Sequence, residues 1–268
     1  MPDSSTDQAN ILTSRDGPIL TLTLNRPQAR NALSEGLMAA LQAALDAAGQ
    51  DPTTRVVVIA ANGPAFSAGH DLKEMAPHWQ DGDRGRQYYD RLMKQCARLM
   101  QTIVRLPKPV IAQVHGIATA AGCQLVASCD LAVAVEEARF ATPGVNIGLF
   151  CSTPMVALSR NVARKEAMEM LLTGDMISAV RAREIGLINR VVPQDQLTAE
   201  VSKLAHQIAA KSRITIAIGK EAFYRQLEMG LSDAYAFASE VMTRNMLEAD
   251  AEEGICAFID KREPKWET

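Results

Sequence analysis

The chain has 268 residues, 47% of them hydrophobic, enough to bury a sizeable core as one α/β domain or as a domain with a helical appendage. Its 28 Lys and Arg against 31 Asp and Glu leave no basic footprint for nucleic acid or an anionic membrane, so a small molecule or a protein is the expected partner. Five scattered cysteines, Cys96, Cys123, Cys129, Cys151 and Cys256, lack the paired spacings of zinc or redox sites, so no metal and a reducing, cytoplasmic setting are expected. Residues 1–10 carry Asp3 and Asp7 but no Arg and no apolar run, unlike a secretory signal or a transit helix. No uninterrupted run of about 18 apolar residues marks a membrane span.

Residues 11–25 alternate apolar and polar side chains around Asp16-Gly17-Pro18, which predicts a β-hairpin. Leu33, Leu37, Leu41 and Leu45 then recur every four residues on one face of an Ala-rich helix. Residues 56–60 read as a short, wholly apolar strand. Residues 62–71, Asn-Gly-Pro-Ala-Phe-Ser-Ala-Gly-His-Asp, hold too much Gly and Pro for a regular element and read as a shaped loop, a common carrier of function. A helix over 86–105 leads to a buried strand ending near Val114. A short helix follows Ala120-Ala121-Gly122, and residues 130–135 give another strand. Beyond Thr153 the pattern is mostly helical, with one short strand near 189–192. Three amphipathic patterns follow Asp195, the first with Val201, Leu204, Ala205, Ile208 and Ala209 on one stripe. This order predicts α/β packing with crossovers. No sequence repeat of 20 to 50 residues is evident.

Four segments together carry a resemblance: Leu24-Asn-Arg-Pro-Gln-Ala-Arg-Asn-Ala-Leu33, Phe66-Ser-Ala-Gly-His-Asp-Leu-Lys-Glu-Met75, Gly116-Ile-Ala-Thr-Ala-Ala-Gly-Cys-Gln-Leu125 and Phe140-Ala-Thr-Pro-Gly-Val-Asn-Ile-Gly148. In order and spacing, from about residue 10 to the C-terminus, the chain resembles the enoyl-CoA hydratase/isomerase, or crotonase, superfamily. Within it the likeness is greatest to the branch called enoyl-CoA hydratase domain-containing protein three. The resemblance implies a ββα spiral core over 11–195 after a flexible stretch at 1–10, and a helical oligomerisation region over 196–268 in a homotrimer or hexamer. It also implies an acyl-CoA thioester as ligand, with coenzyme A entering as part of the substrate and no separate cofactor.

Chemistry at a thioester α-carbon builds negative charge on the carbonyl oxygen, and each fixed N–H aimed at that oxygen is worth roughly 3 kcal/mol. By resemblance the two donors are the backbone amides of His70 and Ala121, the latter at a helix start whose dipole adds to the pull. Ala68, Gly69, Ala120 and Gly122 leave room for close approach. Residues implied to contact the coenzyme A moiety or the acyl group are Gln28, Ala29, Arg30, Ala68, His70, Asp71, Leu72, Lys73, Ala121, Pro143, Gly144 and Leu149, with Lys261 reaching toward the phosphates.

The chain departs from the family pattern where active hydratases place two glutamates. Those positions are Gln124 and Gly144, and neither side chain can exchange a proton near neutral pH. Loss of one such group costs on the order of 10²–10⁴ in rate, so ordinary hydration is not expected. Replacing both positions by Glu is expected to create it. Near the pocket lie His70, Asp71, Asn146, Cys151 and Ser152, of which His70, Asp71 and Cys151 have protons to carry. Each also has a structural reading: Asp71 as a helix cap, Cys151 and Ser152 as caps of the helix near Pro154, the His70 ring and Gln124 as packed groups, Lys73 and Lys261 as solvated charges. Three functions stay open: a lyase or isomerase using atypical proton carriers, a thioester-binding subunit without catalysis, and a hydrolase or decarboxylase.

Overall fold

The computed structural model describes residues 9–267, so the expectation for residues 1–8 lies outside it. Strands β1 (Ile11–Asp16) and β2 (Ile19–Leu24) form the predicted antiparallel hairpin, turning at Gly17 with φ 55°. Helix α1 (Glu35–Gln50) is capped by the Ser34 side chain, which accepts from the Leu37 amide, and it buries Leu37, Leu41 and Leu45 completely. Leu33 ends up one residue before the cap, where it pairs with the loop instead.

From there the chain repeats one unit. A longer strand enters a main sheet, a short strand enters a second sheet, and helix returns the chain to the start. The first unit is β3 (Val56–Ala61), β4 (Ala65–Ser67), α2 (Leu72–Met75) and α3 (Arg86–Arg105). The second is β5 (Val110–Val114), β6 (Ile117–Thr119) and α4 (Ala121–Ser128). The third is β7 (Leu131–Val135), β8 (Arg139–Ala141), α5 (Pro154–Asn161) and α6 (Arg164–Thr173). Strand β9 (Ile177–Ser178), helix α7 (Ala179–Glu184) and β10 (Arg190–Val192) close the spiral.

The main sheet has the order β1-β2-β3-β5-β7-β10 and is parallel from β2 onward. Its central strands are buried on both faces, which is why Val56-Val-Val-Ile59 reads as a continuous apolar run. The second sheet, β4-β6-β8-β9, is parallel except at β9. The repeat is thus one of structure, without a matching repeat of sequence. With its strands and helices alternating around a spiral, the fold is the expected α/β class.

Among the described residues four helices follow rather than three: α8 (Leu197–Ala209), α9 (Arg213–Gln226), α10 (Leu231–Met246) and α11 (Ala249–Ile259). The first lies on β3, β5 and β7 through Val201, Leu204 and Ala205. The next is pinned to the core by Lys220, whose ammonium donates to Asp130 at 2.6 Å and to the carbonyls of Ile103 and Lys108. Among the described residues no helix is long and apolar enough to cross a membrane.

Candidate functional site

The site begins where β2 ends. Pro27–Ala29 forms a 3-10 turn, and Arg30 and Asn31 both take left-handed backbone, each with φ 51°. Asparagine tolerates that region better than most residues. Its side chain is fully buried and makes three bonds. Oδ1 accepts from the Arg26 amide at 2.8 Å, and Nδ2 donates to the carbonyls of Asn62 and Ala65 at 2.8 and 2.9 Å. The Asn31 carbonyl takes the Ser67 hydroxyl at 2.9 Å.

Residues 26–31 thereby hold the loop after β3. Ala68 donates to Arg30 O at 3.0 Å, Leu33 donates to Gly69 O at 2.7 Å, and Asp71 donates to Leu33 O at 3.4 Å. These bonds make Leu33 and His70 a parallel bridge. In a parallel pairing of this kind Leu33 bonds the residues on either side of His70, so the amide of His70 itself faces away from residues 30–33. It donates to no backbone acceptor among the described residues.

The second amide comes from α4. Ala121 is its first residue, and the first N–H groups of a helix have no partner within it. Ala120 just before takes φ 49°, ψ −119°, a conformation that costs a non-glycine residue roughly 1–3 kcal/mol. It is held there because its N–H donates to Ala141 O at 2.9 Å. Gly69, at φ 90°, lies directly against this peptide. A Cβ on it would come within 2.8 Å of Ala120 Cβ and 3.3 Å of Ala121 N. A Cβ on Gly122 would strike Ser67 O at 2.3 Å. The two peptides are therefore in contact, and glycine is needed at both points of closest approach.

The structure draws most of the sequence-predicted residues around this contact. Arg30 lies beside Ala68, and Leu33 beside Gly69 and Asp71, through the bonds just described, which places His70 between them and Leu72 and Lys73 next along α2. Gln28 and Ala29 stand in the turn just before Arg30, without a bond to that loop among the described residues. Pro143 and Gly144 follow β8, which pairs with β6 immediately before Ala121. Leu149 is half-exposed and donates to Gly144 O at 2.9 Å. Lys261 is not drawn in. It follows α11, whose packing is on α9 and α10. A groove of about 690 Å³ at the C-terminal ends of α1 and α3 contains none of these residues.

The candidate proton carriers separate clearly. Asp71 is occupied: Oδ1 accepts from the Lys73 amide at 3.1 Å as cap of α2, and Oδ2 takes Arg26 Nη2 at 3.0 Å. Cys151 Sγ accepts the Gly144 amide at 3.3 Å, and burial pushes its thiol up against that bond, so it stays protonated at neutral pH. Neither it nor Ser152 caps α5; the cap position is Thr153, with no side-chain bond, and Ser152 Oγ turns to Phe150 O. Asn146 is exposed. His70 is the exception. Both ring nitrogens are shielded from solvent without a hydrogen-bond partner. Burial lowers the imidazole from its ordinary value, the Leu33 backbone opposing, so the neutral ring dominates at neutral pH.

Asn31, Arg26 and Cys96 were not legible as site residues. The first two act through contacts 31 to 45 positions away, and Cys96 faces Gln124 only because α3 packs on α4. Gly144 also differs from the sequence expectation that a glutamate can be restored there. A Cβ on it would lie 2.7 Å from Leu149 O and 2.9 Å from Cys151 Sγ. Even Gly144→Ala should therefore lower stability, by about 1–3 kcal/mol in urea unfolding; an unchanged midpoint and slope would show that the turn at 149–151 yields.

The family model for enoyl-CoA hydratase/isomerase matches residues 14–268. Enoyl-CoA hydratase domain-containing protein 3, mitochondrial, of Xenopus laevis is 50% identical over 92% of this chain and 83% of its own length. Its human counterpart is 47% identical over 92% and 80%. A crystal structure of an enoyl-CoA hydratase from Mycobacterium smegmatis superposes with TM-score 0.91 at 53% identity, covering 97% of this chain and 99% of that one. The crystal structure of the human domain-containing protein 3 gives 0.91 at 45%, covering 96% and 100%. The mitochondrial names of the curated relatives overturn the cytoplasmic expectation. That expectation rested on the make-up of residues 1–10 and on reduced cysteines, and neither decides the compartment.

Proposed function

Because the chain belongs to the enoyl-CoA hydratase/isomerase family, we propose that it binds an acyl-CoA thioester with the carbonyl oxygen between the amides of His70 and Ala121. The observation that carries this reading is the pair of amides without acceptors among the described residues, brought together where Gly69 packs on Ala120 and Ala121. Two such donors stabilise an enolate oxygen, the dipole of α4 adding to the second. The exposed rim of Gln28, Arg30, Leu72 and Lys73 is the side from which the coenzyme A moiety enters.

With Gln124 and Gly144 unable to transfer protons and Asp71 and Cys151 engaged, the His70 imidazole is the group left to move one at the α-carbon, and because both its ring nitrogens are shielded from solvent the ring has to be uncovered as the thioester binds. Ordinary hydration by paired carboxylates has no residues to carry it. A second reading, thioester binding without turnover, is favoured by the closed Gly144 turn, which leaves no place for a water-activating side chain there. The two separate on incubating the protein with butyryl-CoA in deuterated water and following the α-protons by NMR. Exchange is expected in the wild type and should fall on the order of 100-fold in His70→Ala, which keeps its backbone amide. Its rate should stay level through neutral pH and fall only well into acid, because the lowered imidazole keeps its basic form below the ordinary value of 6.5. Binding without exchange in the wild type supports the second reading.

We also infer assembly as a homotrimer or hexamer through the C-terminal helices. Leu231, Tyr235, Leu247 and Phe258 are 71 to 85% exposed on and beside α10 and α11, more apolar surface than a monomer ordinarily leaves in water. A monomer mass by light scattering at micromolar concentration would contradict this.

A further inference from the structure

Gln124 stands in a helix whose eight residues are all buried, and it is 5% exposed itself. Its Oε1 lies 3.8 Å from Cys96 Sγ. Burial pushes that thiol up to about 12, so the sulfur keeps its hydrogen and acts as a donor. With the thiol as donor, Oε1 is the end of the amide that faces α3, and the NH₂ is turned the other way. Among the described residues no acceptor takes that NH₂. It is also absent from the partnerless polar atoms that are sealed from solvent, so it opens onto accessible space rather than onto packed side chains.

Position fixes where that space is. Gln124 follows Ala121 by three residues, on the same face of α4 and roughly 4.5 Å along its axis, and helix side chains tilt toward the N-terminus. The free NH₂ is thus carried toward the end of the helix where the Ala121 amide emerges. No free carboxylate or thiolate of the site competes for it. Gly144 has no side chain, Cys151 holds its own proton, and both oxygens of Asp71 are bonded. A saturated acyl chain offers no acceptor either, and an unpaired buried donor is costly.

Resting on the thioester reading above, we propose that Gln124 selects acyl-CoA thioesters bearing an acceptor oxygen on C3, a ketone or a carboxylate, to which its Nε2 donates. Two amides hold the thioester oxygen and the carboxamide holds the second oxygen two carbons away. The substitution of glutamine for the family's glutamate exchanges a proton-transfer group for a neutral donor that reads the substrate.

Calorimetric titration of the full chain with butyryl-CoA, 3-oxobutyryl-CoA and malonyl-CoA tests this, since the three share the coenzyme A moiety. The readout is the ratio of affinities to that of butyryl-CoA. At least one C3-oxygenated thioester should bind about 10-fold tighter, the yield of one buried hydrogen bond, and which one gains tells the ketone from the carboxylate. Gln124→Leu should bring the ratio to within about 3-fold of unity. Gln124→Glu, whose carboxylate repels a second acceptor, should bring it to unity or below. Equal affinities in the wild type overturn the inference, as does a wild-type ratio retained in both variants. Absence of binding for all three thioesters sinks the thioester reading itself.

Discussion

The site depends on one buried side chain that has no need to touch a ligand. Asn31 ties the turn after β2 to the loop on either side of β4 with three side-chain bonds and one through its carbonyl. The loop has little else to define it, since Gly63, Pro64, Ala68 and Gly69 support no regular ladder. Each buried polar group left unpaired there would cost about 1–3 kcal/mol, so the clamp and the loop stand or fall together. Once residues 30–33 and 68–71 are side by side, the parallel bridge leaves the His70 amide no partner on its own side. The direction in which that amide points is a consequence of hydrogen-bond pattern, not of any local preference of histidine.

The strain at Ala120 belongs to the same arrangement. A left-handed alanine is held between Ala141 O, which takes its amide, and Gly69, which covers its Cβ. Gly69 follows β4, Ala120 follows β6 and Ala141 ends β8, neighbouring strands of the second sheet, so that sheet fixes both halves of the site. What results is a pocket rich in donors: two backbone amides, a carboxamide and a neutral imidazole that offers one donor and one acceptor nitrogen. Groups that might supply negative charge are withdrawn, Asp71 into an ion pair with Arg26 and the thiols of Cys123 and Cys151 into the protonated state by burial. Such a site is suited to holding developing charge on oxygen and poorly suited to splitting water.

Much of the scaffold was legible in the sequence because it rests on periodicity. The leucines four apart gave α1, and the 86–105 pattern matches α3 to the residue. The second sheet was not legible. Its strands are two or three residues long, too short for alternation to register, and they exist only because neighbours pair laterally. The site shows the same division. The motifs around His70 and Ala121 identify the loop and the helix start, but the closure of Gly144 depends on the chain folding back at 149–151, and the orientation of Gln124 depends on a cysteine 28 positions earlier. Contacts between distant segments leave no periodic trace.

The central claim is that both amides converge on a single carbonyl oxygen. Difference infrared spectroscopy with a thioester labelled with ¹³C at the carbonyl tests it most directly, because hydrogen bonding lowers the carbonyl stretching frequency in proportion to its polarisation. The account predicts a downshifted, narrowed band on binding, as expected of an oxygen held by two fixed donors. A bound thioester whose carbonyl band stays at its frequency in water would contradict it.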